Sequence, residues 1–304
     1  HGSRGSMSLG ESDGGLPPDS VVEEQDTILA DTQRVIEAFH DPAPAAMTRV
    51  VAAPCSTFSV TTEIMRDAAE LARQYGVHLH THVAETIDEE DFCRETFGMR
   101  PVELMESLGW VGNDVWYAHG VFIDANEISR LAASGTGVAH CPSSNMRLAS
   151  GIAPVRGYLE AGVRLGVGLD GSASNDGNHM IGEARQAMLL ARLAAAPSLE
   201  GGRLLTGREA IRIATRGSAA VLGRDDVGSL EVGKCADFVA VSMDKLEYSG
   251  AQHDPVAALV FASPTRVDHT YVHGRAVVSG GELVDVDLDE LVHRHTSAAL
   301  RLAG

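Results

Sequence analysis

No stretch of the 304 residues approaches the ~18 consecutive apolar residues that span a bilayer, so a membrane-embedded role is not expected. The opening His1-Gly-Ser-Arg4 has neither the basic segment nor the apolar core of a secretion signal. Cysteine is sparse. Cys55, Cys93, Cys141 and Cys235 lie far apart without C-x-x-C spacing, which argues against a disulfide framework or a zinc knuckle. Reduced thiols in a cytoplasmic protein are the expectation. Positive charge is also short: 24 Lys and Arg face 42 Asp and Glu, a formal charge of −18. Such a surface repels nucleic-acid phosphate and anionic lipid, so the expected partners are small molecules, with no nucleic acid and no membrane. Internal repeats and low-complexity tracts are absent.

The composition itself is that of a globular protein, 44% apolar and 22% charged, and the length suits one large domain or two average ones. Between Val50 and Leu222 short apolar runs alternate with segments of helical period, the pattern of βα units around a parallel sheet. The runs are Val50 to Ala53, Val77 to Val83, Val115 to Ala118, Gly137 to His140 and Leu165 to Leu169. Thr61-Thr62 can cap a helix that Gly76 stops, Asp124 with Glu127 resembles a capping box, and longer helices are predicted near Met180 to Ala195 and Thr206 to Arg216. After Gly223 the texture turns to β-prone runs at Gly228 to Val232, Ala236 to Val241, Val267 to Val272 and Ala276 to Val278, closed by a helix near Leu288 to Leu302. A boundary between residues 1–223 and 224–304 follows. By composition, Gly5 to Pro18 reads as a flexible leader.

Thirteen histidines stand out, and position decides which of them matter. In Val77-His-Leu-His-Thr-His-Val-Ala-Glu85 three histidines share one face of a strand while Val77, Leu79 and Val83 share the other. On spacing alone, a half-exposed strand and a metal-binding strand both fit. Glu85, three residues past His82, adds the carboxylate that a metal-bound water needs for proton transfer. Two other runs also end in ligand-type side chains, at His119 and Asp170. In a (β/α)8 barrel such strand ends converge, so His82, His119 and Asp170 jointly suggest a metal site where each alone would pass for a satisfied polar residue.

The segments HLHTHVAET, VWYAHGVF, GVAHCPSSNMRLASGIAPV and GVGLDGSASND, in this order, resemble the cytosine/triazine deaminase branch of the amidohydrolase superfamily. GSLEVGKCADFVAV and VDHTYVHGRAVV resemble its small β-sandwich domain, and GSRGSMSLGESDGGLPPDSVV resembles the substrate loop of 8-oxoguanine deaminases within it. The resemblance implies an α/β fold: a TIM-type (β/α)8 barrel, its strands four to eight readable here, with the small β-sandwich attached. It implies that His82 and Asp170 bind one divalent metal, zinc with iron as the alternative. Glu85 would shuttle a proton to the heterocycle, His119 would polarise the attacking water, and Arg4 would hold a substrate carbonyl. A homodimer is the assembly it suggests.

The implied activity is hydrolytic deamination of an amino-substituted N-heterocycle, 8-oxoguanine to uric acid and ammonia. The runner-up substrates are guanine, isocytosine, a pterin or an s-triazine, and a metal-free scaffold is the non-enzymatic alternative. One departure is plain. The family's His-x-His pair at the end of the first barrel strand has no counterpart before His78, and five strands are readable where eight are required. The chain is therefore expected to begin near the end of the third strand, and such a fragment is expected to bind metal poorly and be inactive.

Overall fold

The computed structural model describes residues 1–195, 204–262, 264 and 266–303. Six strands form one parallel sheet in chain order: β1 Gly2–Ser6, β2 Val50–Pro54, β3 His78–Val83, β4 Val115–His119, β5 Gly137–His140 and β6 Arg164–Val167. This is the TIM-type arrangement expected, with one strand more than the five apolar runs. β1 falls where composition suggested the start of a leader. Its five residues, Gly-Ser-Arg-Gly-Ser, carry no apolar alternation, and the strand exists through pairing with β2, from Gly2 opposite Val50 to Ser6 opposite Pro54.

The helices between these strands are α1 Gln25–Phe39, α2 Thr62–Tyr75, α3 Ile87–Phe97, α4 Pro101–Ser107, α5 Ala125–Ser134, α6 Pro142–Arg147 and α7 Val155–Ala161, and α8 Met180–Ala195 follows β6. Local chemistry sets their ends. Thr61 accepts from the Ile64 amide at the start of α2, and Gly76 closes it at φ 66°, a left-handed conformation that costs glycine little. Asp124 and Glu127 form the complete capping box of α5. The apolar faces of sheet and helices share one core, in which Ile64, Leu79, Met105, Trp110, Tyr117 and Leu131 are fully buried. On β3, burial alternates residue by residue, with Leu79, Thr81 and Val83 buried and the three histidines on the opposite, half-buried face.

The helix expected from Thr206 to Arg216 is α9 Gly207–Arg212, followed by a single π-turn, Ile213–Gly217, and α10 Ser218–Val221. The π-turn lies backbone to backbone on β6. A Cβ on Gly217 would stand 2.1 Å from the Leu165 carbonyl oxygen, and one on Gly166 would stand 2.8 Å from Ser218 Cα. The Ser218 hydroxyl accepts from the Val167 amide at 3.1 Å, so the helix also satisfies part of that strand.

A separate antiparallel sheet follows, ordered β10-β9-β8-β7, from β7 Phe238–Ala240, β8 His269–Val272, β9 Arg275–Ser279 and β10 Glu282–Leu283. Phe238 and Tyr271 stack across it with ring centroids 4.6 Å apart. The run Gly228 to Val232 forms no strand; the side chains of Leu230 and Val232 lie in solvent, with no neighbouring strand to pair against. Between β7 and β8, α11 Pro255–Ala262 packs back on α8 and α9, where Arg192 lies over the Phe261 ring. The chain's two lysines flank the small sheet: Lys234 donates to Ser229 and Lys245 pairs with Asp268 at 2.9 Å. The described chain ends in α12 Leu288–Ala303. No described helix is long and apolar enough to cross a membrane.

Candidate metal-dependent active site

The C-terminal ends of β3, β4 and β6 bring His82, His119 and Asp170 together, each offering one ligand atom, all within 4.8 Å of one another. Strand geometry aims them there, because β3 turns its histidine face away from the helices and the other two residues sit at the points where β4 and β6 stop. His119 and Asp170 hold left-handed backbone conformations, φ 71° and 63°, as does Ala84 at 54°. Such conformations cost non-glycine residues about 1–3 kcal/mol and concentrate at functional sites.

Hydrogen bonding fixes both imidazoles. His82 Nδ1 stands 2.6 Å from the Cys55 carbonyl oxygen and His119 Nδ1 stands 2.8 Å from Asn145 Oδ1. Both partners are acceptors, so Nδ1 carries a proton in each ring and Nε2 is the nitrogen left to face the donor group. Asp170 Oδ2 accepts from the Ser144 and Ser174 hydroxyls at 2.6 and 2.7 Å, which leaves Oδ1 uncommitted to either. Two imidazole nitrogens and one carboxylate oxygen match the three-donor set of a catalytic zinc with an open fourth position. The residues present therefore fit the metal.

The electrostatics agree. Burial disfavours charge on His82, yet the Cys55 thiol and carbonyl and the Glu85 carboxylate outweigh it and raise the ring to about 9. The site thus attracts positive charge, and a cation on Nε2 would replace that proton. Burial lowers His119 against the opposing pull of Glu85. For Asp170 burial favours the neutral acid, but the two serine hydroxyls prevail and hold its carboxyl below the usual range. Glu85 Oε2 lies 3.4 Å from His119 Nε2, at the edge of the donor group.

Of the sequence-predicted residues, the structure thus groups His82, Glu85, His119 and Asp170. Arg4 is not brought among them. Its guanidinium is committed to Asp31 on α1 at 2.8 Å and to Glu23 at 2.7 Å, and it does not line the cavity over the site. That cavity, about 350 Å³, is walled by Met7, Leu16, Pro17, Phe58 and Leu148 and floored by His82, Glu85, His119 and Asp170.

Cys141-Pro-Ser-Ser-Asn145 forms the N-cap and first turn of α6, and its Ser144 and Asn145 anchor Asp170 and His119. The buried Glu183 of α8 secures that turn by accepting from the Ser143 amide, at 3.1 Å, and from Asn175 Nδ2, at 3.0 Å. A proline at the first helical position directly after a strand end was the available signal, since it starts a helix at the mouth of the barrel.

Known proteins are similar to this chain over most of its length. The chain is 50% identical over 299 residues to the 8-oxoguanine deaminase of Pseudomonas aeruginosa, covering 98% of this chain and 65% of that protein. It is 42% identical to the hydroxydechloroatrazine ethylaminohydrolase of Pseudomonas sp. strain ADP, covering 96% and 60%. Among solved structures, the atrazine chlorohydrolase of Arthrobacter aurescens TC1 complexed with zinc superposes with a TM-score of 0.91 at 36% identity, covering 96% of this chain and 64% of that one. The chain thus spans somewhat less than two thirds of the length of these relatives. The amidohydrolase family model matches residues 1–277, and with that match and these identities the chain belongs to the amidohydrolase family.

Proposed function

We propose that this chain carries the reaction centre of a hydrolytic deaminase that converts 8-oxoguanine and water to uric acid and ammonia. The observation that carries the reading is the Glu85 carboxylate, 3.4 Å from His119 Nε2 beside a three-donor metal group. The substrate is supported by the 50% identity to an 8-oxoguanine deaminase and by a cavity of about 350 Å³ whose apolar walls suit a flat bicyclic ring.

His82, Asp170 and His119 would hold the metal or face it. Bound there, a divalent cation, zinc for this donor set with iron as the alternative, supplies Lewis acidity and a nucleophilic water at neutral pH. Glu85 takes the proton of the attacking water and delivers it to the ring nitrogen beside the amino-bearing carbon. The water oxygen bonds to that carbon, its second proton passes to the amino group, and the carbon–nitrogen bond then breaks to release ammonia. His119, its tautomer fixed by Asn145, and Asp170, steadied by two serines, stabilise charge at the tetrahedral carbon. The carbonyl-holding role expected of Arg4 is not part of the proposal, because that guanidinium already serves two carboxylates.

The test is uric acid formation from 8-oxoguanine by zinc-loaded protein made from the complete gene, followed by ultraviolet absorbance, with guanine, isoxanthopterin and a hydroxytriazine in parallel. Uric acid with little product from the others is the expected result. Ammonia from a pterin or triazine and none from 8-oxoguanine would overturn the substrate, and no ammonia from any of them would overturn the activity.

A further inference from the structure

Glu89 has no exposed surface and lies four residues past Glu85, in the first turn of α3. Its amide donates to the Thr86 hydroxyl, as the third residue of a capped helix does, but its carboxylate does not return to the Thr86 amide. One oxygen instead accepts from the Glu85 amide at 2.8 Å and the other from the Thr57 hydroxyl at 3.0 Å. Thr57 belongs to the turn after β2 whose Cys55 carbonyl holds His82 Nδ1. On the other side of the same peptide unit, the Ala84 carbonyl accepts from the amides of Val121 and Phe122, at 2.8 and 2.9 Å. The Ala84–Glu85 peptide is thereby held at both ends, next to a left-handed Ala84.

A carboxylate withdrawn wholly from water is expensive, and a neutral capping side chain would complete the helix at lower cost. Burial, against three hydrogen bonds that oppose it, raises the Glu89 carboxyl to about 7. The expense makes sense if the group does more than cap a helix.

We infer that Glu89 is a positioning residue: by clamping the Glu85 amide to the turn that carries Thr57, it sets the direction of the Glu85 carboxylate toward the reacting water. The inference rests on the proton-transfer role proposed for Glu85. Glutamine keeps an oxygen for the Glu85 amide and an amide for the Thr57 hydroxyl, so Glu89→Gln should retain kcat within about threefold. Glu89→Ala removes the clamp while leaving every cavity-lining side chain in place. Misdirection of a general base acts on the transition state more than on substrate binding, so kcat should fall about 10- to 100-fold with KM nearly unchanged.

The experiment measures kcat, KM and zinc per chain, on protein made from the complete gene, for wild type, Glu89→Ala, Glu89→Gln and Thr57→Val, with Glu85→Gln alongside. Expected are full zinc in all, a kcat loss for Glu89→Ala, recovery in Glu89→Gln and near-total loss in Glu85→Gln. Should Glu89→Ala fail to fold, Thr57→Val, which removes one anchor at nearly constant volume, reads the same effect as a smaller loss of kcat. Wild-type turnover per bound zinc in Glu89→Ala, or in Thr57→Val where Glu89→Ala does not fold, would overturn the positioning role. Glu85→Gln losing activity at the same time would show that the failure is confined to Glu89. An active Glu85→Gln would overturn the proton-transfer reading, and the positioning role with it.

Discussion

Asn145 is the most consequential side chain outside the donor group, because the tautomer of His119 depends on one acceptor 2.8 Å away. Asn145→Ala should lower kcat about 10- to 100-fold, whereas Asn145→Asp, which keeps an acceptor, should lose less. Steady-state kinetics on zinc-loaded variants check this, and equal loss in the two would contradict the tautomer argument. That His82, His119 and Asp170 come together was legible in the sequence because each follows an apolar run and strand ends converge in this fold. Their anchors were not. Asn145, Ser144 and Thr57 reach partners 26 to 32 residues away through single hydrogen bonds, which leave no period and no spacing in the chain. Arg4 illustrates the converse: its residue type suits carbonyl binding, but only the folded chain brings Asp31 and Glu23 to it.

Among the elements, those with an apolar face were legible, and those formed by close backbone approach were not. The capped helices α2 and α5 and the alternating strand β3 carry their instructions locally. β1 and the π-turn at Ile213–Gly217 do not, since one depends on pairing with β2 and the other on the absence of a side chain against Leu165. Two substitutions separate these causes. Asp124→Ala removes a cap and should cost about 1 kcal/mol. Gly217→Ala drives a methyl group into a backbone carbonyl and should cost about 1–3 kcal/mol or more, because neither backbone can give way as a side chain would. Denaturant midpoints check the order, and a milder effect at Gly217 would contradict the close approach.

For the molecule as a whole, two buried groups tilt stability with pH in opposite directions. His140, at the end of β5, has both ring nitrogens without a partner among the described residues, and burial pushes it down to about 3. Unfolded, it titrates near 6.5. The unfolded chain therefore binds the extra proton, and the contribution of a neutral His140 is lost as pH falls from about 6.5 toward 3. Glu89 is raised instead, from 4.5 to about 7, so its contribution is complete below 4.5 and is lost as pH rises through 7. His140→Leu should flatten the acid limb of the melting-temperature profile and Glu89→Gln the limb between 4.5 and 7. Unchanged slopes in either variant would contradict the assignment for that residue.

The two lysines beside the small sheet have a practical counterpart. Every other cationic side chain apart from histidine is an arginine, so an amine-directed reagent finds only Lys234 and Lys245 among the side chains. Neither lines the cavity over His82 and Asp170. Attachment through these lysine side chains to an activated resin or a fluorescent ester would thus fall beside the small sheet and spare every residue that lines the cavity.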